Sequence, residues 1–124
     1  MSWFASKGSE KNISWTPLLE ASQVDSAISK ENEMPALFFK HSTRCSISSM
    51  ALNRFEKEWS GSANCQLLFL DLLKFRGLSD MISERTGVVH ESPQAVVVYR
   101  GEVVYQASHN GIIASEIEKI LKAL

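Results

Sequence analysis

Two short apolar runs stand out along the chain, each behind a polar break. Residues 35–40 (Pro-Ala-Leu-Phe-Phe-Lys) and 66–72 (Gln-Leu-Leu-Phe-Leu-Asp-Leu) are continuous rather than alternating, the pattern of strands covered on both faces. Residues 95–99 and 102–106 are rich in valine and joined by Arg100-Gly101, a link short enough for an antiparallel hairpin. Around these runs, apolar residues recur at helical spacing. Val24, Ala27 and Ile28 mark a helix over 23–30, with Ser22 as its candidate N-cap. Ile47, Met50, Ala51, Phe55 and Trp59 mark a second, ended by Gly61. Leu78, Met81, Ile82 and Arg85 trace a third, stopped at Thr86-Gly87. Ile113, Ile117, Ile120, Leu121 and Leu124 form a fourth stripe, which Ser108 or Asn110 would cap. Residues 13–19 are predicted as a short edge strand or an ordered arm.

The order is helix, strand, helix, strand, helix, hairpin, helix. A helix between the first two strands makes them parallel, with a right-handed crossover. The prediction is an α/β fold with a central four-stranded mixed sheet and helices on both faces. It is formed by residues 13–124 as a single domain, and the polar residues 1–12 are expected to be a flexible tail. The thioredoxin fold has this order.

Composition narrows the function classes. Of 124 residues, 44% are hydrophobic, and 13 basic against 14 acidic side chains leave a net charge of −1. That is a globular composition without the basic field that would draw nucleic acid or an anionic membrane. No apolar run is long enough to span a bilayer. The first residues, Met1 to Lys7, lack the apolar core of a signal peptide. The expectation is a cytoplasmic protein whose two cysteines are reduced.

Cys45 follows the first apolar run and opens the second helical stripe. At a helix start the unpaired N–H groups and the helix dipole both favour thiolate over thiol, and the thiolate is the nucleophile. Lys40, His41 and Arg44 lie close in sequence and are candidate stabilisers of that charge. The flanking Ser42, Thr43, Arg44, Ser46, Ser48 and Ser49 are not the apolar company of a structural cysteine. Ser48 stands three residues on, where a dithiol site would need its resolving cysteine. Its hydroxyl is expected to be solvated or weakly bonded to the sulfur. Without a resolving thiol, a mixed disulfide on Cys45 persists until another thiol removes it. Cys65 precedes the second parallel strand, so about 20 Å of strand separates it from Cys45, beyond the ~7 Å that a disulfide spans. It is expected to be structural. His41, His90 and His109 show no compact ligand spacing, and no metal is expected. Two other activities stay open on these residues: a non-catalytic protein-binding module in which Cys45 is incidental, and a single-cysteine peroxidase or redox sensor.

The stretch 40–48 (Lys-His-Ser-Thr-Arg-Cys-Ser-Ile-Ser) resembles the signature of the monothiol bacilliredoxins, the bacillithiol-system YtxJ-like proteins. Their Thr-x-Cys-x-Ile-Ser pattern is matched by Thr43, Cys45, Ile47 and Ser48. Residues 90–94 (His-Glu-Ser-Pro-Gln) resemble the family's cis-proline segment. Gly101 followed by Ser108-His109 resembles its hairpin and the start of its last helix. The resemblance runs from about Trp15 to the C-terminus. It implies a monothiol thiol–disulfide oxidoreductase in which Cys45 removes a low-molecular-weight thiol, such as bacillithiol, from protein mixed disulfides. The small thiol would be a co-substrate, with no bound cofactor, and S-thiolated proteins would be the partners. Thr43, Arg44, Ser46, Ser48, Ser92 and Pro93 would surround the small-thiol moiety, and Lys40 or His41 would stabilise the thiolate or the leaving sulfur.

Overall fold

The computed structural model describes residues 13–124; the stretch expected as a tail, 1–12, lies outside the described residues. The elements are strand β1 (Thr16–Pro17), helix α1 (Ala21–Ile28), β2 (Ala36–His41), α2 (Ser46–Glu58), β3 (Gln66–Asp71), α3 (Arg76–Thr86), the hairpin β4 (Gln94–Tyr99) and β5 (Glu102–Ser108), a 3-10 turn (His109–Gly111) and α4 (Ala114–Lys122). They form a mixed sheet in the order β1-β3-β2-β4-β5. β2 runs parallel to β3 and antiparallel to β4, with Phe38 between Leu68 and Val96.

The sheet therefore has five strands rather than four. The extra one pairs Thr16 and Pro17 with Leu68 and Phe69, and Leu18 N–H donates to the Phe69 carbonyl at 2.8 Å. Two residues, one of them proline, carry no alternation to read, and a proline that cannot donate to a ladder suits an edge. Tertiary contact fixes it: Leu18 is buried, and the Trp15 ring lies 5.6–5.8 Å from those of Phe39, Phe55 and Phe69.

Side-chain alternation along β2 divides the core in two. Ala36 and Phe38 face α1 and α3, packing with Val24, Ala27, Leu68 and Ile82. Leu37 and Phe39 face α2 and α4, packing with Phe55, Trp59, Ile117 and Leu121. Both phenylalanines are fully buried, which is why the run reads as continuously apolar.

Three helix ends differ from the predicted ones. α1 starts at Ala21, because Glu20 and Gln23 form a capping box that satisfies the first amides ahead of Ser22. α2 stops at Glu58, before Gly61; the buried Glu118 carboxylate of α4 accepts N–H bonds from Ser60 and Gly61 at 2.9 and 3.1 Å and draws the chain out of the helix. α4 is capped by neither Ser108 nor Asn110. Its N-cap is Ile113, whose N–H donates to the Tyr105 hydroxyl at 3.4 Å, while that hydroxyl donates to the Gly111 carbonyl at 3.0 Å.

Candidate functional site

β2 ends at the buried His41, and the turn 42–44 carries the chain outward to Cys45 at the N-cap of α2. Cys45 N–H donates to the Ser42 carbonyl at 3.2 Å, and the Cys45 carbonyl accepts the first helical bond, from Ser49 N–H, at 3.0 Å. The residue has extended backbone angles (φ −108°, ψ 120°), and its thiol does not itself cap the helix. The first-turn amides of α2 thus open toward the end of the sheet where the sulfur sits. Cys45 is partly exposed, and Thr43, Arg44, Ser46 and Ile47 around it are exposed.

Ser48 is neither solvated nor bonded to the sulfur. It is fully buried, its Oγ accepts the Ser42 N–H at 3.1 Å, and it shares a 2.7 Å hydrogen bond with His41 Nδ1. The α2-facing side of β2 brings His41 over this hydroxyl. The imidazole also lies against the Phe69 ring at 5.5 Å. Burial lowers its pKa, an effect opposed by the Asp71 and Glu56 carboxylates.

Lys40 is directed elsewhere. Adjacent strand residues point to opposite faces, so Lys40 projects toward α3, away from the face that carries α2. Its Nζ donates to Ser83 Oγ and to His90 Nδ1, both at 3.2 Å. Of the two candidate stabilisers of the sulfur, Lys40 and His41, the pleat of β2 turns Lys40 to the face away from α2.

Lys40 lies opposite Gln94 across the β2–β4 ladder, so Ser92 and Pro93 emerge at the same end of the sheet as Cys45. The Ser92–Pro93 peptide bond is cis. Pro93 is buried, and its carbonyl accepts His109 N–H at 3.0 Å. Ser92 Oγ is buried without a hydrogen-bond partner among the described residues.

Cys65 sits at the other end. The β2–β3 register starts at Ala36 and Gln66, so Cys65 lies beside the N-terminal end of β2, whereas Cys45 follows its C-terminal end. Its Sγ donates to the Gln66 carbonyl at 3.6 Å, and burial pushes its pKa up to about 12. Among the described residues, no cluster of His, Cys, Asp and Glu could hold a metal ion, and no helix is long and apolar enough to cross a membrane.

Sequence reasoning missed the residues around Lys40: Ser79, Ser83 and Gln94, and His90 in any role but a metal ligand. The available signal was a lysine inside an otherwise apolar strand, since a charge there must find polar partners on a neighbouring element.

A family model described as monothiol bacilliredoxin BrxC matches residues 16–117. The chain belongs to the monothiol bacilliredoxin family. A solved structure described as a candidate oxidoreductase with a thioredoxin fold is 32% identical to this bacilliredoxin, with a TM-score of 0.73 over 86% of this chain and 92% of that one. A thioredoxin variant from Halobacterium salinarum matches at 14% identity, with a TM-score of 0.65 over 88% of each chain. Schistosoma mansoni thioredoxin matches at 13% identity and a TM-score of 0.65, over 92% of this chain and 98% of its own. At such identities the two thioredoxins speak for the fold alone. The bacilliredoxin family and the thioredoxin-like fold together support a function of the thiol oxidoreductase type.

Proposed function

We propose that this bacilliredoxin is a monothiol oxidoreductase that uses Cys45 to strip a low-molecular-weight thiol, of the bacillithiol kind, from protein mixed disulfides. The Cys45 thiolate attacks the small thiol's sulfur. The bond between that sulfur and the protein sulfur breaks, and the protein leaves as its thiolate. Cys45 then carries the small thiol as a mixed disulfide. A second small-thiol anion attacks that adduct, leaves as the symmetrical disulfide, and returns Cys45 to its thiolate. Electrons balance over the cycle as a net exchange: the mixed disulfide and one free small thiol become one protein thiol and one symmetrical small-thiol disulfide.

The observation that carries this reading is the position of Cys45: partly exposed at the N-terminus of a 13-residue helix, with no second cysteine within reach. Thr43, Arg44 and Ser46 on one side, and the backbone of Ser92 and Pro93 on the other, would hold the small-thiol moiety. Ser48 supports the turn beneath the sulfur. The cycle suits a thiol-rich compartment such as the cytoplasm, with S-thiolated proteins as substrates.

The test is to incubate the reduced protein with bacillithiol disulfide, and in parallel with glutathione disulfide, and to map the modified peptide by mass spectrometry. One small-thiol adduct on Cys45 is expected, faster with bacillithiol disulfide, and none in Cys45→Ser. Modification of Cys65, or none at all, would overturn the assignment. Equal rates with both disulfides would remove bacillithiol as the preferred thiol.

A further inference from the structure

We propose that Lys40 is a positioning residue: with its cross-strand neighbour Gln94, it clamps the loop before β4 and so sets the distance between the cis-proline segment and Cys45. The proposal rests on the reading of Ser92 and Pro93 as one wall of the small-thiol site.

Lys40 and Gln94 face each other across the β2–β4 ladder, and both are completely buried. Each spends its polar end on the same loop. Lys40 Nζ donates to His90 Nδ1 at 3.2 Å, and Gln94 Nε2 donates to the Val89 carbonyl at 2.9 Å. Gln94 Oε1 accepts Glu91 N–H at 3.4 Å. From the other side, α3 contributes two serines one turn apart: Ser79 Oγ reaches His90 Nδ1 at 3.1 Å, and Ser83 Oγ accepts from Lys40 at 3.2 Å. At the rim, Glu91 pairs with His109 at 3.5 Å. Every residue from 89 to 91 is therefore tied down just before the cis bond.

The cost of this arrangement argues for a role. A buried ammonium is expensive unless a carboxylate meets it, and Lys40 makes no ion pair among the described residues. Asp80 acts on it only through its field, and burial lowers its pKa to about 8. Arg76 and Glu91, the other charges near His90, act on that ring with opposite sign. An apolar residue would pack this position without such a cost. What the ammonium provides is a strong donor to His90. The loop it holds contains Ser92, whose buried hydroxyl has no hydrogen-bond partner among the described residues.

The test compares wild type with Lys40→Met and His90→Ala. Native-state hydrogen exchange of the Glu91 amide, which donates to Gln94 Oε1, needs no substrate; its protection is expected to fall about tenfold in both variants. In turnover with a mixed-disulfide substrate, KM is expected to rise about five- to tenfold, with kcat changed less than twofold. Alkylation of Cys45 by iodoacetamide, which reads the sulfur alone, is expected to stay within twofold. Unchanged loop protection overturns the clamp, and so does an alkylation rate that falls with Lys40→Met, which would place the ammonium's action on the sulfur. Because exchange and alkylation are read without turnover, they stand even if Cys45 forms no small-thiol adduct.

Discussion

The two cysteines differ by one strand length, and that length separates opposite chemical settings. Cys45 follows the C-terminal end of β2, where the chain passes into the N-terminus of α2. Cys65 precedes the N-terminal end of β3, after the chain has left that helix by its C-terminus, and packs against the α2–α4 half of the core. In a strand–helix–strand unit the amide end of the helix always lies over the C-terminal ends of the strands, and the carbonyl end over the other. An anion is favoured at the first place and not at the second. The direction of the chain thus places one thiol at the amide end of the helix and the other beyond its carbonyl end.

The sharpest way to break this contrast is selective alkylation. With its pKa pushed up to about 12 by burial, the Cys65 thiol is almost wholly protonated at neutral pH. Its thiolate fraction at pH 7.5 is on the order of a thousandfold below that of an ordinary thiol. Iodoacetamide is expected to label Cys45 at least about 10³ times faster than Cys65 in the folded protein, with the difference collapsing in urea. Comparable labelling in the folded state would mean that the two ends of the sheet are chemically alike.

The two ends also titrate in opposite directions. Lys40, at the Cys45 end, has its pKa lowered from 10.5 to about 8. The unfolded chain binds the extra proton between those values, so its contribution to stability is full above 10.5 and is lost as pH falls through 8. Carrying the buried charge at pH 7 then costs up to about 3 kcal/mol. Cys65 is displaced upward from 9.0 to about 12, so its contribution is full below 9 and is lost as pH rises toward 12. Urea unfolding of Lys40→Met should show a variant more stable than wild type at pH 7, by up to about 3 kcal/mol, with the gap closing as pH approaches 10.5. Cys65→Ser should gain on wild type only above pH 9. A Lys40→Met variant with a pH-independent difference would show that the ammonium is not the source of the cost.

The same contrast marks what the sequence could and could not reveal. Cys45 was legible because an apolar run, a polar turn and a helical stripe meet there, and that succession has one common solution. The sheet order followed from the helix between β2 and β3 and from the short link at Arg100-Gly101. The facing of Lys40 and His41 was not legible in the same way. A strand covered on both sides reads as an unbroken apolar run, which hides its two-residue alternation, so both side chains were expected at the sulfur. The burial of Ser48 was invisible because its partner His41 lies on a different element, seven residues back. β1 forms within the 13–19 stretch expected as an edge strand or an arm, and it went uncounted in the sheet because two residues held by Leu18 and Trp15 have no periodicity of their own. Local pattern carried the elements and the place of Cys45 at a helix start; the polar contacts beneath it are tertiary.

Ser48 offers the finest adjustment of the comparison. Its hydroxyl accepts the Ser42 N–H and bonds His41, so it ties the turn before Cys45 to the strand beneath it. Ser48→Ala leaves that N–H and a buried ring nitrogen without their partner, a loss of about 1–2 kcal/mol in urea unfolding. The Cys45-to-Cys65 labelling ratio should change less than twofold, since the hydroxyl's partners are a backbone amide and an imidazole. A ratio that drops fivefold with unchanged stability would reverse that assignment and make Ser48 a direct partner of the sulfur. A stability loss with the ratio intact would leave the contrast between the two thiols to the backbone alone, to which end of a helix each one faces.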